Sequence, residues 1–415
     1  MGLYGKEGVI PMIVRQIPIS LELEYEFDFD ISKMIFFDIE TTGFSPETTY
    51  LYLIGCIYYE ASSFHLIQWF SEGIDDEIHI ISSFFDFLKN YEIIIHYNGT
   101  GFDIPYILRK CHLKNLAYNF VNIVQIDLYK KVYPFRKLLK LPNCKQKTIE
   151  KFLHINRKDT FSGGELIEVY ASYVGKRRYE VLKKKHQRLT TETLTTIESM
   201  VPSGKTSAKV MDIIDLCSNE QELSEAEKLL HQLLLHNEDD LKGLVQICPI
   251  LTFTDLFEKP IRIQKAAIEE SALIITFELG SVLPFPIQAQ TDIVCFTARE
   301  AQASLRIQLF EGELKHFYDN YKDYFYLPAE DRAIHKSLAA FVDKDYRIKA
   351  KAATCYTRKQ GIFVPQYEPV ISPYFKQNNS DKVSFLEVHT DFLLQEDKLE
   401  QYVSHILTHI LKNKA

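Results

Sequence analysis

Strand-like hydrophobic runs dominate the first hundred residues. Residues 34–40, 50–60 and 64–70 are rich in β-branched and aromatic side chains, and short turns separate them. They are predicted as consecutive strands, the last two antiparallel. Residues 92–97 (EIIIHY) are predicted as a short buried strand, and the alternating stretch 21–30 (LELEYEFDFD) as an edge strand.

Apolar residues recur with helical spacing in the segments between and after these strands. Helices are predicted over residues 79–90, 104–113, 146–155, 164–174 and 224–248. The last begins at a capping box formed by Ser224 and Glu227, and Pro249 follows its end. Strands followed by alternating helices and strands predict an α/β domain, a mixed sheet flanked by helices, over residues 1–250.

The pattern changes twice along the chain. It becomes basic and then polar over about 175–223, which we interpret as an insertion containing a short helical piece at 210–217. From residue 251 it predicts strands at 271–279, 291–298 and 304–318, the last folded as a hairpin around 311–313, and a helix over 395–413. Residues 251–415 are therefore predicted to form a separate α+β domain, whose sequence indicates no chemistry.

Composition excludes several classes of protein. The 415 residues are 46% hydrophobic and 25% charged, as in globular proteins rather than disordered or collagenous ones. No apolar run approaches the roughly 18 residues of a membrane span, and no signal peptide is predicted, so we expect a cytoplasmic protein. The seven cysteines lack a CxxC pair and are expected to be reduced core thiols. A net charge of −8 gives no overall attraction to nucleic acid but leaves room for a local basic groove.

Candidate chemistry begins with Asp38 and Glu40. They are two residues apart on a predicted strand, so both carboxylates project from one face near its carboxyl end. Adjacent like charges are costly without a cation, and hard oxygen ligands favour Mg²⁺ or Mn²⁺. The alternative is a pair of solvent-exposed acids on an edge strand.

Two further segments carry acidic residues. Asp103 ends the loop HYNGTGFD, whose Asn98 and two glycines allow the backbone to approach another group closely. The alternative is that Asp103 is a plain helix N-cap. In HNEDD, His236 and Asp240 are four residues apart on one helix face, with Asp239 as the fallback carboxylate. The alternative for this segment is the solvated end of an amphipathic helix.

Together these residues supply what two-metal phosphodiester cleavage requires, four carboxylates and a histidine. The chain resembles the DEDD (DnaQ-like) 3′–5′ exonucleases of the ribonuclease-H-like superfamily, in particular their YprB-like branch. DIETTG at 38–43, HYNGTGFD at 96–103 and HNEDD at 236–240 match the three exonuclease motifs, and residues 144–174 resemble the intervening segment. The resemblance covers about residues 30–250.

The resemblance implies a fold, a substrate and roles for single residues. Asp38 would bridge two Mg²⁺ or Mn²⁺ ions, Glu40 and Asp240 would complete one site, and Asp103 would serve the other. The substrate would be single-stranded DNA or RNA, cleaved from the 3′ end. The superfamily places a tyrosine four residues before the last aspartate of the third motif, or a histidine five residues before it. His236 stands at the tyrosine position, where we expect it to act as a base or to orient the attacking water.

Binding residues are expected beside these motifs. By resemblance, Thr41, Thr42 and Gly43 contact the terminal nucleotide, Phe44 stacks on a base, and Asn98 lies in the second motif. The alternative is that the Thr-Gly segment only forms a turn.

A basic run at 175–188 holds seven Lys and Arg residues against one Glu. Its Lys183, Lys184 and Lys185 are predicted to bind phosphates, unless the run is only a solvated helix face. Asp127 is expected to be a structural cap.

We therefore predict a metal-dependent nuclease. Two alternatives come from other classes of protein: a catalytically silent ribonuclease-H-like module that binds nucleic acid, and an interaction protein that acts through residues 251–415.

Overall fold

A computed structural model describes residues 12–73, 76–157, 163–195 and 223–412, except for the side chains of 184–195, 257, 411 and 412. Its contacts divide the chain into two compact units. The first comprises residues 1–130 and 144–248, and the second comprises residues 131–143 and 249–415. The proposed domain division at 250/251 stays a prediction. No helix of the described residues is both long enough and apolar enough to cross a bilayer.

The first unit is built on a six-stranded mixed sheet. Its strands, in chain order, are β1 Ile13–Ile19, β2 Met34–Thr41, β3 Leu51–Glu60, β4 Ser63–Phe70, β5 Ile93–His96 and β6 Val124–Asp127. Their order across the sheet is β1-β4-β3-β2-β5-β6, antiparallel as far as β2 and parallel from β2 to β6. β2 lies inside the sheet, and its residues 34–37 and Ile39 are buried, as expected of a strand covered on both faces.

Helices cover both faces of this sheet. The unit contains α1 Glu77–Leu88, α2 Asp103–Leu113, α4 Gln146–Phe152, α5 Gly163–Thr195 and α6 Glu225–Gln246, and a short helix, α3 Leu128–Val132, runs across its boundary at residue 130. Apolar residues of α1 and α2 pack on one face, in a core with Phe37 and Ile39 of β2. Residues of α5 and α6 pack on the other, in a core with Tyr52 and Phe70. α6 begins at the predicted capping box, where Ser224 and Glu227 bond each other's backbone.

The edge-strand prediction for residues 21–30 is wrong. The sheet edge is β1, which pairs with β4 along its whole length, from Ile13 opposite Phe70 to Ile19 opposite Phe64. Residues 21–30 form no strand, although their exposure alternates. Alternating polarity indicates a half-buried extended segment. It does not indicate which extended segment forms hydrogen bonds with β4.

The predicted end of the helix at Val174 is also wrong, because α5 continues to Thr195. Beyond Val174 the sequence is basic and polar, which removes the apolar periodicity but not the helix propensity of Lys, Arg and Glu. The helical piece predicted at 210–217 lies outside the described residues.

The second unit is rich in antiparallel sheet. Its strands are β7 Arg262–Glu269, β8 Ala272–Glu278, β9 Ile287–Gln290, β10 Val294–Arg299, β11 Gln302–Gln308, β12 Phe310–Phe317, β13 Tyr324–Leu327, β14 Arg332–His335, β15 Ile348–Lys349, β16 Tyr356–Gln366, β17 Tyr374–Phe375 and β18 Ser384–Glu387. They form sheets ordered β7-β8-β11-β10-β9, β12-β16-β18-β17 and β14-β13-β15. The helices are α7 Thr252–Glu258, α8 Lys336–Ala339, α9 Thr390–Leu393 and α10 Glu396–Lys412.

The predicted hairpin around residues 311–313 does not form. β11 pairs with β8 and β10, whereas β12 belongs to another sheet and pairs with β16. Gly312 is a strand residue opposite Gly361, not a turn. Six of the cysteines are described, and all are free thiols, five of them buried, as expected.

Candidate active site

A polar row crosses four strands of the first unit. Asp38 of β2 lies opposite Gly55 of β3, Gly55 lies opposite Gln68 of β4, and Gln68 lies opposite Arg15 of β1. Directly opposed residues of neighbouring strands project from the same face of a sheet. Asp38 therefore continues a line of polar groups on one face of the sheet.

Helix α6 fits onto this row through Asn237. Its Nδ2 donates to Asp38 Oδ2 over 2.9 Å, and its Oδ1 accepts from Gln68 Nε2 over 3.0 Å. A Cβ atom added to Gly55 would lie 2.0 Å from Asn237 Oδ1, so only glycine allows this approach. Arg15 donates to Gln68 Oε1 over 2.9 Å. This hydrogen bond orients the side-chain amide of Gln68, which in turn orients Asn237. The network orients the carboxylate of Asp38.

The next face-sharing residue of β2, Glu40, lies near the same helix at His236, the residue before Asn237. His236 Nε2 is 3.9 Å from Glu40 Oε1 and 3.3 Å from Asp240 Oδ2. The ligand-capable atoms of these residues all lie within 4.8 Å of one another. His236 is 3% exposed and Asp240 is half-buried, so this face is not simply the solvated end of an amphipathic helix.

The electrostatics connect Asp38 and Asp103 to this group. Burial raises the pKa of Asp38 well above its ordinary value, and the charges of Glu40, Asp240 and Asp103 raise it further, against an opposing effect of His236. Burial, with the charges of Asp127 and Asp240, raises the pKa of Asp103 to about 7 against its own backbone hydrogen bonding. A divalent cation would relieve the repulsion among these buried and half-buried carboxylates.

Asp240 differs from its neighbours. Burial alone would raise its pKa, but the hydrogen bond and charge of His236 and the charge of Arg157 hold the pKa below its ordinary value. Arg157 Nη2 donates to Asp240 Oδ1, and Arg157 Nε lies 2.5 Å from Glu150 Oε2. Gln146 Nε2 donates to the backbone carbonyl of Asp240 over 2.7 Å. α4 and the segment after it thus hold the last carboxylate of the third motif.

The loop before Asp103 is held by Asp127. Asp127 Oδ1 accepts from the backbone N–H of Asn98 over 2.8 Å and of Tyr129 over 3.1 Å, and its Oδ2 accepts from the Thr100 hydroxyl over 2.5 Å. Asp127 is therefore a structural cap, as expected. Asn98 is exposed and has a φ of 59°, which turns the chain sharply after β5.

Asp103 is the first residue of α2, and Phe102 occupies the N-cap position without a capping side chain. The alternative that Asp103 is a plain N-cap is therefore wrong.

The turn after β2 uses its hydroxyls internally. Thr41 Oγ1 donates to Gly43 O over 2.9 Å, and Thr42 Oγ1 accepts from Tyr50 N–H over 2.9 Å. Phe44 is 89% exposed and meets Phe102 edge-on at 5.8 Å between ring centroids. The threonines shape the turn, whereas the Phe44 ring presents an open face next to the second motif.

Other predicted residues lie elsewhere. Lys183 is exposed on α5, and the side chains of Lys184 and Lys185 are outside the description. Asp239 is buried and is not part of the Glu40–His236–Asp240 group found among the described residues. The metal and substrate roles of all the predicted residues stay predictions.

Asn237, Gln68 and Arg157 were not predicted from the sequence. Asn237 stands inside the HNEDD motif, between two residues that were singled out, and Arg157 stands inside the segment that resembles the exonucleases. For Asn237 and Arg157, their position inside these motif segments was the signal that could have identified them. Gln68 carries no local signal, because its role depends on strand register.

The pH dependence of stability follows from Asp103. Its pKa in the folded protein is about 7 against an ordinary value of 3.8, so its stabilising contribution is present below pH 4 and is lost as pH rises through 7. In EDTA, the thermal unfolding midpoint should fall by a few degrees between pH 4 and pH 7. This is the shift expected when the free energy of unfolding falls by about 1–2 kcal/mol. Asp103→Asn should flatten this decline in differential scanning calorimetry. An equal decline in the variant would contradict the pKa shift.

Comparison with known proteins supports the fold. Residues 35–199 match a domain family described as the RNase_H superfamily. The matched range includes Asp38, Glu40 and Asp103 but ends before α6. The match and the six-stranded mixed sheet with helices on both faces confirm the predicted ribonuclease-H-like fold. Membership of the DEDD class and of its YprB-like branch stays a prediction.

Two solved structures are similar at low identity. The zinc-bound E. coli ExoI–ssDNA complex is 14% identical with a TM-score of 0.25, over 39% of this chain and 42% of that one. The family B DNA polymerase of the hyperthermophilic archaeon Pyrobaculum calidifontis is 13% identical with a TM-score of 0.31, over 75% and 39%. The chain thus spans about two fifths of the length of each. Among curated protein sequences, no match is found.

Proposed function

We propose that this protein is a divalent-metal-dependent nuclease that hydrolyses single-stranded DNA or RNA from the 3′ end. The observation that carries the proposal is that Glu40, His236 and Asp240 meet within 4.8 Å, and that the charges of Glu40, Asp240 and Asp103 all act on Asp38. These residues come from β2, α2 and α6, and clustered, partly buried carboxylates destabilise a fold unless they serve a function.

The donor set fits Mg²⁺ or Mn²⁺. Carboxylate oxygens are the ligands that these hard cations prefer, and the raised pKa of Asp38 reflects negative charge that a cation would compensate. Asp38, Glu40, Asp103 and Asp240 would hold two ions, which when bound stabilise the attacking and leaving oxygens of an in-line displacement.

The side chains of the protein have separate tasks. Asn237 holds the carboxylate of Asp38 in place, and Arg157 does the same for Asp240. His236 is the group suited to accept a proton from the attacking water, because neutral imidazole is a base near physiological pH. Its Nε2 lies 3.9 Å from Glu40 Oε1 and 3.3 Å from Asp240 Oδ2, beside the carboxylates that would hold the ions.

The turn after β2 supplies the substrate contacts. Phe44 offers an exposed ring on which a terminal base can stack, an interaction that tolerates any base. Thr41, Thr42 and Gly43 shape the backbone beside it, and Asn98 lies exposed in the second motif. These contacts favour a strand end over a duplex.

The test uses single-stranded DNA and RNA oligonucleotides labelled at either end, incubated with Mg²⁺ or Mn²⁺. A 5′-labelled strand should shorten stepwise, a 3′-labelled strand should release labelled mononucleotide at once, and EDTA should stop both. Binding without any cleavage would favour the silent binding module instead. Cleavage at internal sites only would contradict the exonuclease assignment.

The basic run of α5 gives a separate prediction. Lys183→Gln, Lys184→Gln and Lys185→Gln together should weaken binding evenly across sequences. They should also reduce the slope of log affinity against log salt by about 0.7 for each lost contact to a single strand. Fluorescence anisotropy across a KCl titration measures both quantities. Unchanged slope and affinity would assign the run to a solvated helix face.

A further inference from the structure

Beside the carboxylates, the first unit contains a cavity of about 510 Å³ with a basic lining. α4 and the segment after it form this basic cavity, which is lined mainly by Lys147, Lys151, His154, Asn156 and Arg157. Glu150 is its one carboxylate, and Arg157 already neutralises it at 2.5 Å. The lining therefore has excess positive charge in a chain of net charge −8.

The local structure explains why the basic groups face the same space. Lys147 and Lys151 are four residues apart on α4, so they share a helix face, and both are exposed. Within the described part of the chain, Lys151 has no ion-pair partner. His154 has a φ of 58°, and Ile155 N–H donates to Glu150 O over 2.8 Å, which turns the chain back beside the helix.

Arg157 links the basic cavity to the carboxylates. Its Nη2 donates to Asp240 Oδ1, while the other oxygen of Asp240 lies 3.3 Å from His236 Nε2. Arg157 therefore contacts both the basic cavity and Asp240, one of the candidate metal ligands. Arg157 Nη1 is buried and has no hydrogen-bond partner among the described residues.

We propose that the basic cavity binds backbone phosphates of the nucleic-acid strand whose scissile linkage lies at the carboxylates. The identity of the ligand rests on the proposed function. A phosphodiester strand is repelled by clustered carboxylates, and adjacent fixed positive charge offsets that repulsion. Lys147 and Lys151 supply the charge, and the Asn156 amide supplies a hydrogen-bond donor. Phosphate contacts of this kind hold the strand in register without reading its bases.

The test compares two double variants with the same change in charge. Lys147→Gln with Lys151→Gln alters the cavity. Lys33→Gln with Lys89→Gln is the control, because Lys33 precedes Asp38 by five residues, roughly 16 Å along an extended strand. Lys89 lies near that same end of the sheet, three residues before Glu92, whose N–H donates to Lys33 O over 2.9 Å. Anisotropy of fluorescein-labelled oligothymidylate and oligouridylate is measured in EDTA across a KCl titration.

The cavity variant should show a salt slope shallower by about 0.7 for each phosphate that it no longer neutralises, and the control pair should match the wild type. In a second series, single linkages of the oligonucleotide are replaced by uncharged methylphosphonate. Replacement at one or two particular linkages should lower the affinity of wild type several-fold. The same replacements should not lower the affinity of the cavity variant further, because it already lacks those phosphate contacts.

Equal slopes in wild type and the cavity variant, or the same methylphosphonate pattern in both, would overturn the assignment. So would a wild type that does not bind the oligonucleotides. Hydrolysis is scored separately: if wild type cleaves but the slopes are equal, only the cavity assignment fails. If the slopes differ as expected but wild type does not cleave, the cavity assignment stands and only the nuclease proposal fails.

Discussion

Asp38→Asn is expected to lower the hydrolysis rate by at least about 10²–10³-fold, the usual loss when one preorganised electrostatic group is removed from a reaction centre. The same substitution should stabilise the metal-free protein. Asp38 is half-buried and feels the charges of Glu40, Asp103 and Asp240, so the amide removes a negative charge that desolvation and like charges disfavour. The amide oxygen of asparagine can still accept the hydrogen bond from Asn237.

The measurements are single-turnover cleavage of a labelled strand in Mn²⁺ and thermal unfolding in EDTA. Glu60→Gln is the matched control, since Glu60 is an exposed carboxylate at the far end of β3. The variant at Asp38 should be inactive with a midpoint raised by a few degrees, as a gain of about 1 kcal/mol would produce. An active variant would contradict the site, and an inactive variant of lowered midpoint would contradict the electrostatic account.

His236→Ala is expected to reduce the rate by about 10²–10⁴-fold while leaving Mn²⁺ binding largely intact. His236 is buried between Glu40 and Asp240 and can take a proton without being required as a ligand. His236→Tyr should be milder, because a phenol at this spacing can still orient the water by a hydrogen bond. The wild-type rate should fall at acid pH as the imidazole is protonated, and that fall should disappear in the tyrosine variant.

Cleavage rates against pH and calorimetric titration with Mn²⁺ separate the roles of His236. His231→Ala is the control, as His231 is an exposed histidine on the same helix. A rate within about threefold of wild type would show that His236 has no part in the reaction, since the expected losses begin far higher. Loss of Mn²⁺ binding in His236→Ala would make it a metal ligand instead.

Local patterns were enough to predict the elements that carry the site. The two-residue spacing of Asp38 and Glu40 placed them on one face of β2, and the four-residue spacing of His236 and Asp240 placed them on one face of α6. The capping box at Ser224 fixed where that helix begins. Such features depend on residues a few positions apart, whose geometry is set by helix or strand periodicity.

Contacts distant in sequence were beyond prediction. The row from Asp38 through Gly55 to Gln68 exists only because three strands pair in one register. Arg157 and Asp240 are 83 residues apart, and no local pattern indicates that they meet. The edge strand was predicted in the wrong segment for the same reason. Its position depends on which segment pairs with β4, and β1 does so.

The most direct test of the central claim is Mn²⁺ binding, followed by electron paramagnetic resonance of the free ion, in wild type and in Asp38→Asn. If carboxylates of β2, α2 and α6 form one metal centre, wild type should bind two ions, more tightly as pH rises and Asp103 ionises. Asp38→Asn should lose that binding, and Glu60→Gln should keep it. Equal Mn²⁺ binding by wild type and Asp38→Asn, or none by wild type, would contradict the claim.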